Sequence, residues 1–251
     1  MDLSPREQLI LTAIIEEFIE TAKPIGSRFI SKLPGIGWSP ATIRNVMSDL
    51  EEQGFLSHPH TSAGRIPTEA GLRFYVDKLI RVRPISAEKQ TELQGLFRKI
   101  ILQEKEIFRG TLHFLSELAK QASIGFVQPS SSFDGGDIFI DGRTHLIDHF
   151  ELNQASQLKP FLQILEDHRS LRPLLLQASR TDRTQVLFSS EMVALPLPPC
   201  SLVASPVQLK DGRLGALMVL GNLRLKYEEV ISLVDYTSSL LSHLGKQDLL
   251  R

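Results

Sequence analysis

Between residues 39 and 53 the chain reads Ser-Pro-Ala-Thr-Ile-Arg-Asn-Val-Met-Ser-Asp-Leu-Glu-Glu-Gln. Wound as a helix at about 100° per residue, it puts Ile43, Val46, Met47 and Leu50 on one side. Ala41, Asn45, Ser48 and Glu52 fall on the opposite side, with Thr42 and Arg44 on the flanks. The first half of the outward face is small, polar or cationic, and the acids Asp49, Glu51 and Glu52 are held back to the second half. This distribution suits hydrogen bonding to base edges in a DNA major groove. An arginine donates two bonds to guanine, an asparagine pairs both ways with adenine, and small neighbours permit close approach. A carboxylate in those turns would meet the phosphates.

The charges around this segment agree. Lys23, Arg28, Lys32 and Arg44 lie between Thr21 and Ser48 with no acid among them, and His58, His60 and Arg65 lie between Gln53 and Thr68, again without an acid. Thr42, Arg44, Asn45 and Ser48 are therefore expected to read double-stranded DNA. Ser39 is expected to cap the helix and reach a phosphate. Arg28 and the loop residues His60, Thr61, Ser62, Gly64 and Arg65 are expected on the backbone or in the minor groove. The whole chain is neutral by comparison, with 28 Lys+Arg against 29 Asp+Glu in 251 residues. Local positive potential on a neutral chain predicts binding that depends steeply on salt without being indiscriminate.

The elements that must position these residues are legible from caps and periodicity. Ser4-Pro5 starts a helix with Leu9, Ile10, Ala13, Ile14, Phe18 and Ile19 at helical spacing, closed by Lys23-Pro24. Gly26-Ser27 opens a short second helix with Phe29, Ile30 and Leu33 inward. Ser39-Pro40 repeats the cap-then-proline signal, and Gly54 stops the third helix. Phe55-Leu56 and Arg65-Ile66-Pro67 read as short strands around an exposed loop, and Thr68 caps a fourth helix with Leu72, Tyr75, Val76 and Leu79 inward. Helix, helix, helix, hairpin, helix is the plan of a winged helix-turn-helix.

Beyond this module, residues 1–83, a connector over 84–123 is predicted to be largely one long helix. Its apolar stripe from Leu93 to Leu118 is interrupted at Glu104, with Gly110 a second point of bending, and suits dimerisation. Residues 124–251 change to an α+β pattern. A hairpin is expected about Asp141-Gly142 between Ile138–Ile140 and Leu146-Ile147. A helix is expected from Asn153 to about Leu176, broken late by Pro173. Strands at Ser201–Val207 and Leu214–Leu220 flank Asp211-Gly212, and a last helix runs from Tyr227 to Leu244.

Composition narrows the function. Hydrophobic residues are 42% and charged residues 23%, an ordinary globular mixture. The single cysteine, Cys200, excludes an intramolecular disulfide and a cysteine-rich zinc site. Cys200 begins an apolar strand and reads as a buried structural residue rather than a nucleophile. His145, Asp148 and His149 cluster without a metal-binding pattern. Gly35-Ile36-Gly37 and Gly135-Gly136 are too short for phosphate loops. No enzyme, cofactor or metal is expected. The first residues carry acids and no secretory pattern, and no apolar run suits a membrane span, so a cytoplasmic, bacterial protein is expected.

Three runs together resemble the bacterial HrcA-type heat-inducible transcription repressors. They are Ser39 to Asn45, Leu50 to Gly54, and Pro59-His60-Thr61-Ser62-Ala63-Gly64-Arg65-Ile66-Pro67-Thr68. The likeness continues at Gly71, Arg73, Tyr75 and Val76, and again at Gly135-Gly136, Leu146, Phe150, Cys200 to Val203, Gly215 and Tyr227. The resemblance implies a homodimer on an inverted-repeat operator called CIRCE, upstream of heat-shock chaperone operons. It also implies a winged helix joined to a GAF-like domain, and a chaperonin partner, GroEL, that maintains the active form. Members of that family are longer and carry an inserted dimerising domain. Here only ten residues, Ile124 to Phe133, occupy that place, so a short form with a reduced antiparallel sheet is expected. The expected function is a dimeric repressor released on heat stress. Two alternatives stay open: a regulator responsive to a ligand or partner, and an interaction subunit of a full-length relative that no longer binds DNA.

Overall fold

The computed structural model describes residues 3–59, 64–104, 106–129, 136–148, 159, 162–163, 165–192, 197–209 and 211–243. The chain divides into two compact units, Met1–Arg81 with Leu223–Lys226, and Val82–Asn222 with Tyr227–Arg251.

The first unit follows the expected order of elements. Helix α1 (Pro5–Thr21) begins with a capping box, in which the Ser4 hydroxyl accepts from the Glu7 N–H and the Glu7 carboxylate accepts from the Ser4 N–H. Its Ile10, Leu11, Ile14 and Ile15 are buried against α2 (Ser27–Ile30) and α3 (Pro40–Glu52). In α2 only Ile30 of the expected inward trio is fully buried. The helix lasts a single turn, which leaves Phe29 on the outside, 41% exposed. Strands β1 (Leu56–Ser57) and β2 (Ile66–Pro67) pair antiparallel, Leu56 with Pro67 and Ser57 with Ile66. Thr68 caps α4 (Glu69–Phe74), which runs on through one π-helical turn at Tyr75–Leu79.

The second unit is an antiparallel sheet with helices on both faces. Helices α5 (Ala87–Gln103) and α6 (Ile107–Ala119) replace the single long helix. The break falls at Glu104, whose backbone is extended, and α6 runs through Gly110 unbroken. Much of the connector's stripe is occupied within its own unit, while Leu96 stays 38% exposed. Leu93, Phe97, Ile101 and Phe114 pack with Leu233, Tyr236 and Leu240 of the last helix, and Phe97 meets Phe114 edge-on at 5.1 Å. The sheet has the order β4-β3-β7-β6-β5, with β3 (Ala122–Val127), β4 (Asp137–Asp141), β5 (Gln185–Phe188), β6 (Cys200–Gln208) and β7 (Leu214–Asn222).

Among the described residues the sheet has five strands, where the sequence predicts four. The hairpin about Asp211-Gly212 forms as expected, Gln208 opposite Leu214. The one about Asp141-Gly142 does not: β4 pairs with β3, and the chain turns at Gly142 into a helix, α7 (Arg143–Asp148). Helix α8 (His168–Ser179) crosses Pro173 without breaking. Leu171, Leu175 and Ala178 are buried in one cluster with Ile124, Phe126, Met218 and Leu220. At about 1.5–3 kcal/mol per buried leucine, that offsets the roughly 3 kcal/mol an internal proline costs a helix. Alternate residues put Ser123, Ser201 and Ser205 on the other face, under α6 and α9 (Tyr227–His243). There Ser123 Oγ donates to the Leu112 carbonyl at 2.9 Å, Tyr227 donates to Ser201 Oγ at 3.2 Å, and the Ser205 and Ser238 hydroxyls lie 2.7 Å apart.

Candidate nucleic-acid interface

Helix α3 carries the residues expected to read bases. Its start is fixed by Ser39, whose hydroxyl accepts from the Thr42 N–H at 3.2 Å, and by Pro40, whose missing N–H is not needed there. Ile43, Val46, Met47 and Leu50 are buried, so the helix is locked in rotation about its axis. That lock exposes Ala41, Arg44 and Asn45 and leaves Thr42 and Ser48 partly covered. Thr42 Oγ1 is 2.9 Å from Ser39 Oγ, so the two hydroxyls already share a hydrogen bond. The exposed face over the first two turns holds donors and acceptors and no carboxylate.

Two contacts from the first turn of α1 steady α3 at its ends. Gln53, the C-cap of α3, donates its side-chain amide to Glu7 Oε1 at 2.9 Å. The Arg6 guanidinium lies over the ring of Trp38, next to the Ser39 cap, at 5.0 Å from the ring centre. The Ser4 hydroxyl and then the Gln53 amide hold the Glu7 carboxyl below its ordinary value. Gly54, at φ +82°, ends α3 in the left-handed conformation that a residue without Cβ adopts freely. The Phe55 N–H then donates back to the Leu50 carbonyl at 2.9 Å.

The hairpin is tied to the helices on several sides. Thr68 Oγ1 donates to the Gly54 carbonyl at 2.6 Å and accepts from the Gly71 N–H at 3.1 Å. The backbone of Arg65 exchanges two hydrogen bonds with that of Ile25, each 2.8 Å, just before α2. Gly64 is a glycine for that reason rather than for a turn: a Cβ there would stand 2.4 Å from the Ile25 carbonyl oxygen. The Arg65 side chain, expected to face DNA, is instead turned onto Glu51, Nη2 to Oε2 at 2.7 Å. His58 Nδ1 bonds the other oxygen, Oε1, of the same carboxylate. Partial burial pushes the Glu51 carboxyl up, but the His58 hydrogen bond and the Arg65 charge outweigh it and leave the value lowered.

Arg28, on α2, is exposed, as are Lys23 and Lys32. His60, Thr61 and Ser62 lie outside the described residues. The structure therefore gathers Ser39, Thr42, Arg44, Asn45 and Ser48 on one helix and assigns Gly64 and Arg65 to the root of the hairpin. Sequence reasoning missed Glu51 as a partner of both hairpin legs. Its sign in the sequence is slight: His58 and Arg65 follow it by seven and fourteen residues, but Gly54 stops the helix between them, so that spacing does not place them on one helix face.

The other chemical candidates have structural partners. His145 Nε2 lies 3.2 Å from Glu117 Oε1, and Cys200 is buried at the start of β6. His149 lies outside the described residues. Among the described residues no group of three or more His, Cys, Asp or Glu side chains could hold a metal ion, and no helix is long and apolar enough to cross a membrane.

Known proteins match this architecture along nearly its whole length. The chain is 28% identical over 339 residues to a heat-inducible transcription repressor HrcA from Syntrophobacter fumaroxidans, covering 97% of each. That alignment is longer than the 251 residues here, so the relative carries long stretches with no counterpart in this chain. A namesake from Brevibacillus brevis is 48% identical over 122 residues, 49% of this chain and 36% of the relative. A crystal structure described as a hypothetical protein shares the fold with a TM-score of 0.70 at 17% identity, covering 96% of this chain and 98% of its own. The family described as HrcA protein C terminal domain matches residues 85–231, more than half of the chain, running from just before α5 into α9. The chain belongs to the HrcA family.

Proposed function

We propose that this protein is a transcription repressor of heat-shock genes. In this reading it binds double-stranded DNA as a homodimer, on an inverted repeat of the CIRCE type. The observation that carries the reading is the pair Arg44 and Asn45, both exposed on a helix whose opposite face is buried. These are the side chains that bond guanine and adenine edges with two hydrogen bonds each. Family membership supports the same assignment. The first unit acts as a winged helix-turn-helix in which α3 enters the major groove. The loop between β1 and β2 is its wing and lies along the backbone or in the minor groove. Thr42 and Ser48 assist base reading, while Ser39 and Arg28 take phosphates.

The sheet unit serves as a GAF-like regulatory domain, and a two-fold protein dimer matches a two-fold operator. Heat relieves repression by destabilising the dimer or the sheet unit, and the chaperonin GroEL maintains the active form of this cytoplasmic protein. The test is fluorescence anisotropy of a labelled duplex carrying the inverted repeat, against a scrambled duplex, at several salt concentrations. Preferential binding with two protomers per repeat is expected. Equal and weak binding to both duplexes would overturn the reading and favour an interaction subunit without DNA affinity.

A further inference from the structure

The hairpin that carries the wing is too short to place itself. Its strands are two residues each and pair at only two positions, far below what an isolated hairpin needs to be stable in water. Its position relative to the reading helix must come from contacts outside the hairpin. One carboxylate supplies such a contact to both legs: Glu51, on the last turn of α3, takes His58, just after β1, on Oε1 and Arg65, just before β2, on Oε2.

We propose that Glu51 is a positioning residue for DNA recognition, a staple that fixes the wing to the reading helix, and that Arg65 acts through Glu51 rather than on a phosphate. The inference rests on the DNA-binding reading above. An exposed surface ion pair is commonly worth little. This one differs in geometry. The side chains of Arg65 and Glu51 are only 20% and 24% exposed, and both carboxylate oxygens are engaged. The Arg65 backbone is locked in addition to Ile25, so this residue joins the α1–α2 connection, β2 and α3 at one point.

Electrostatics alone and positioning predict opposite signs for Glu51→Gln. Removing a negative charge from a DNA-facing surface, and freeing Arg65, would tighten binding if Arg65 met phosphate. Under the proposal Glu51→Gln weakens binding to the inverted-repeat duplex, on the order of tenfold, and narrows the preference over the scrambled duplex. Arg65→Gln does the same, and the double variant is no worse than either single one, since both remove the same staple. Glu51→Asp, which keeps the charge but withdraws the carboxylate by one methylene, also weakens binding. All are compared at a temperature where circular dichroism reports full folding.

A second measurement needs no DNA: hydrogen exchange of the Ile25 and Arg65 amides in the free protein, expected to speed up in Glu51→Gln. Tighter or unchanged binding by Glu51→Gln, additive losses in the double variant, or unchanged exchange at Ile25 and Arg65 would overturn the proposal. Should the unmodified protein bind neither duplex, the DNA-binding reading fails by itself, and the exchange measurement still decides whether Glu51 staples the wing.

Discussion

The carboxylate of Glu7, in the first turn of α1, accepts a hydrogen bond at 2.9 Å from the side chain of Gln53, the residue that caps the far end of α3. Glu7 thus serves its own helix start and the end of α3 together. Its folded-state value is depressed, so its stabilising contribution is complete above the ordinary carboxyl value of 4.5 and is lost as pH falls through the lower folded value. The melting temperature of the first unit should therefore drop more steeply below pH 4.5 in the unmodified protein than in Glu7→Gln, which has no proton to take up there. Equal acid slopes would show that the contact does not stabilise the fold.

Arg44→Ala and Asn45→Ala should each weaken binding to the inverted-repeat duplex by about 1–3 kcal/mol and relax base preference at one position of each half-site. Competition with single-base variants of the duplex reads both effects. Neither substitution should shift the melting temperature appreciably, because both side chains are exposed.

Lys32→Ala is expected to behave differently. It should weaken binding to specific and scrambled duplexes alike and reduce the slope of log affinity against log salt by about one unit. A salt titration with both duplexes distinguishes this from lost base reading.

Gly64→Ala should destabilise the first unit by about 1–3 kcal/mol, because the added methyl must displace backbone rather than a side chain end. Its neighbour would be the Ile25 carbonyl oxygen at 2.4 Å. Urea unfolding measures the loss. Gly26→Ala, where a Cβ meets nothing within 4 Å, is the control and should change stability far less.

Phe97→Ala should cost the second unit about 3–5 kcal/mol, since its ring is 1% exposed and packs edge-on against Phe114. Far-ultraviolet circular dichroism in urea follows it. A small loss would show that α5 is only loosely docked on α6.

Helix α3 was legible because three independent signals coincide there: a serine cap, a proline at the first position and apolar residues at helical spacing. The hairpin at Asp211-Gly212 was legible because its strands flank a turn of ordinary chemistry. Strand β3 was not: all six of its residues are buried, the small Ser123 and Gly125 as well as Ile124 and Phe126, so no charged, solvent-facing side marks it as a strand. Asp141-Gly142 misleads for a related reason. The dipeptide does place Gly142 at φ +70°, but the partner of β4 lies before it in the chain rather than after. Pro173 breaks a helix only where burial is too weak to oppose it. Of the candidate interface, the side chains on α3 could be read from spacing. The partnership of Glu51 with His58 and Arg65 could not, because it exists only once α3 and the hairpin have folded together.

Trp38 is the chain's only tryptophan, and it lies in the first unit beneath Arg6, one residue before the Ser39 cap of α3. Indole emission is therefore a private optical channel for the first unit. The sheet unit, whose described aromatic side chains are phenylalanines and the tyrosines Tyr227 and Tyr236, is silent in that channel. Heating a single sample while following indole emission beside backbone ellipticity would separate the order in which the two halves come apart. If heat relieves repression as proposed, the half that yields first is the one expected to carry that response.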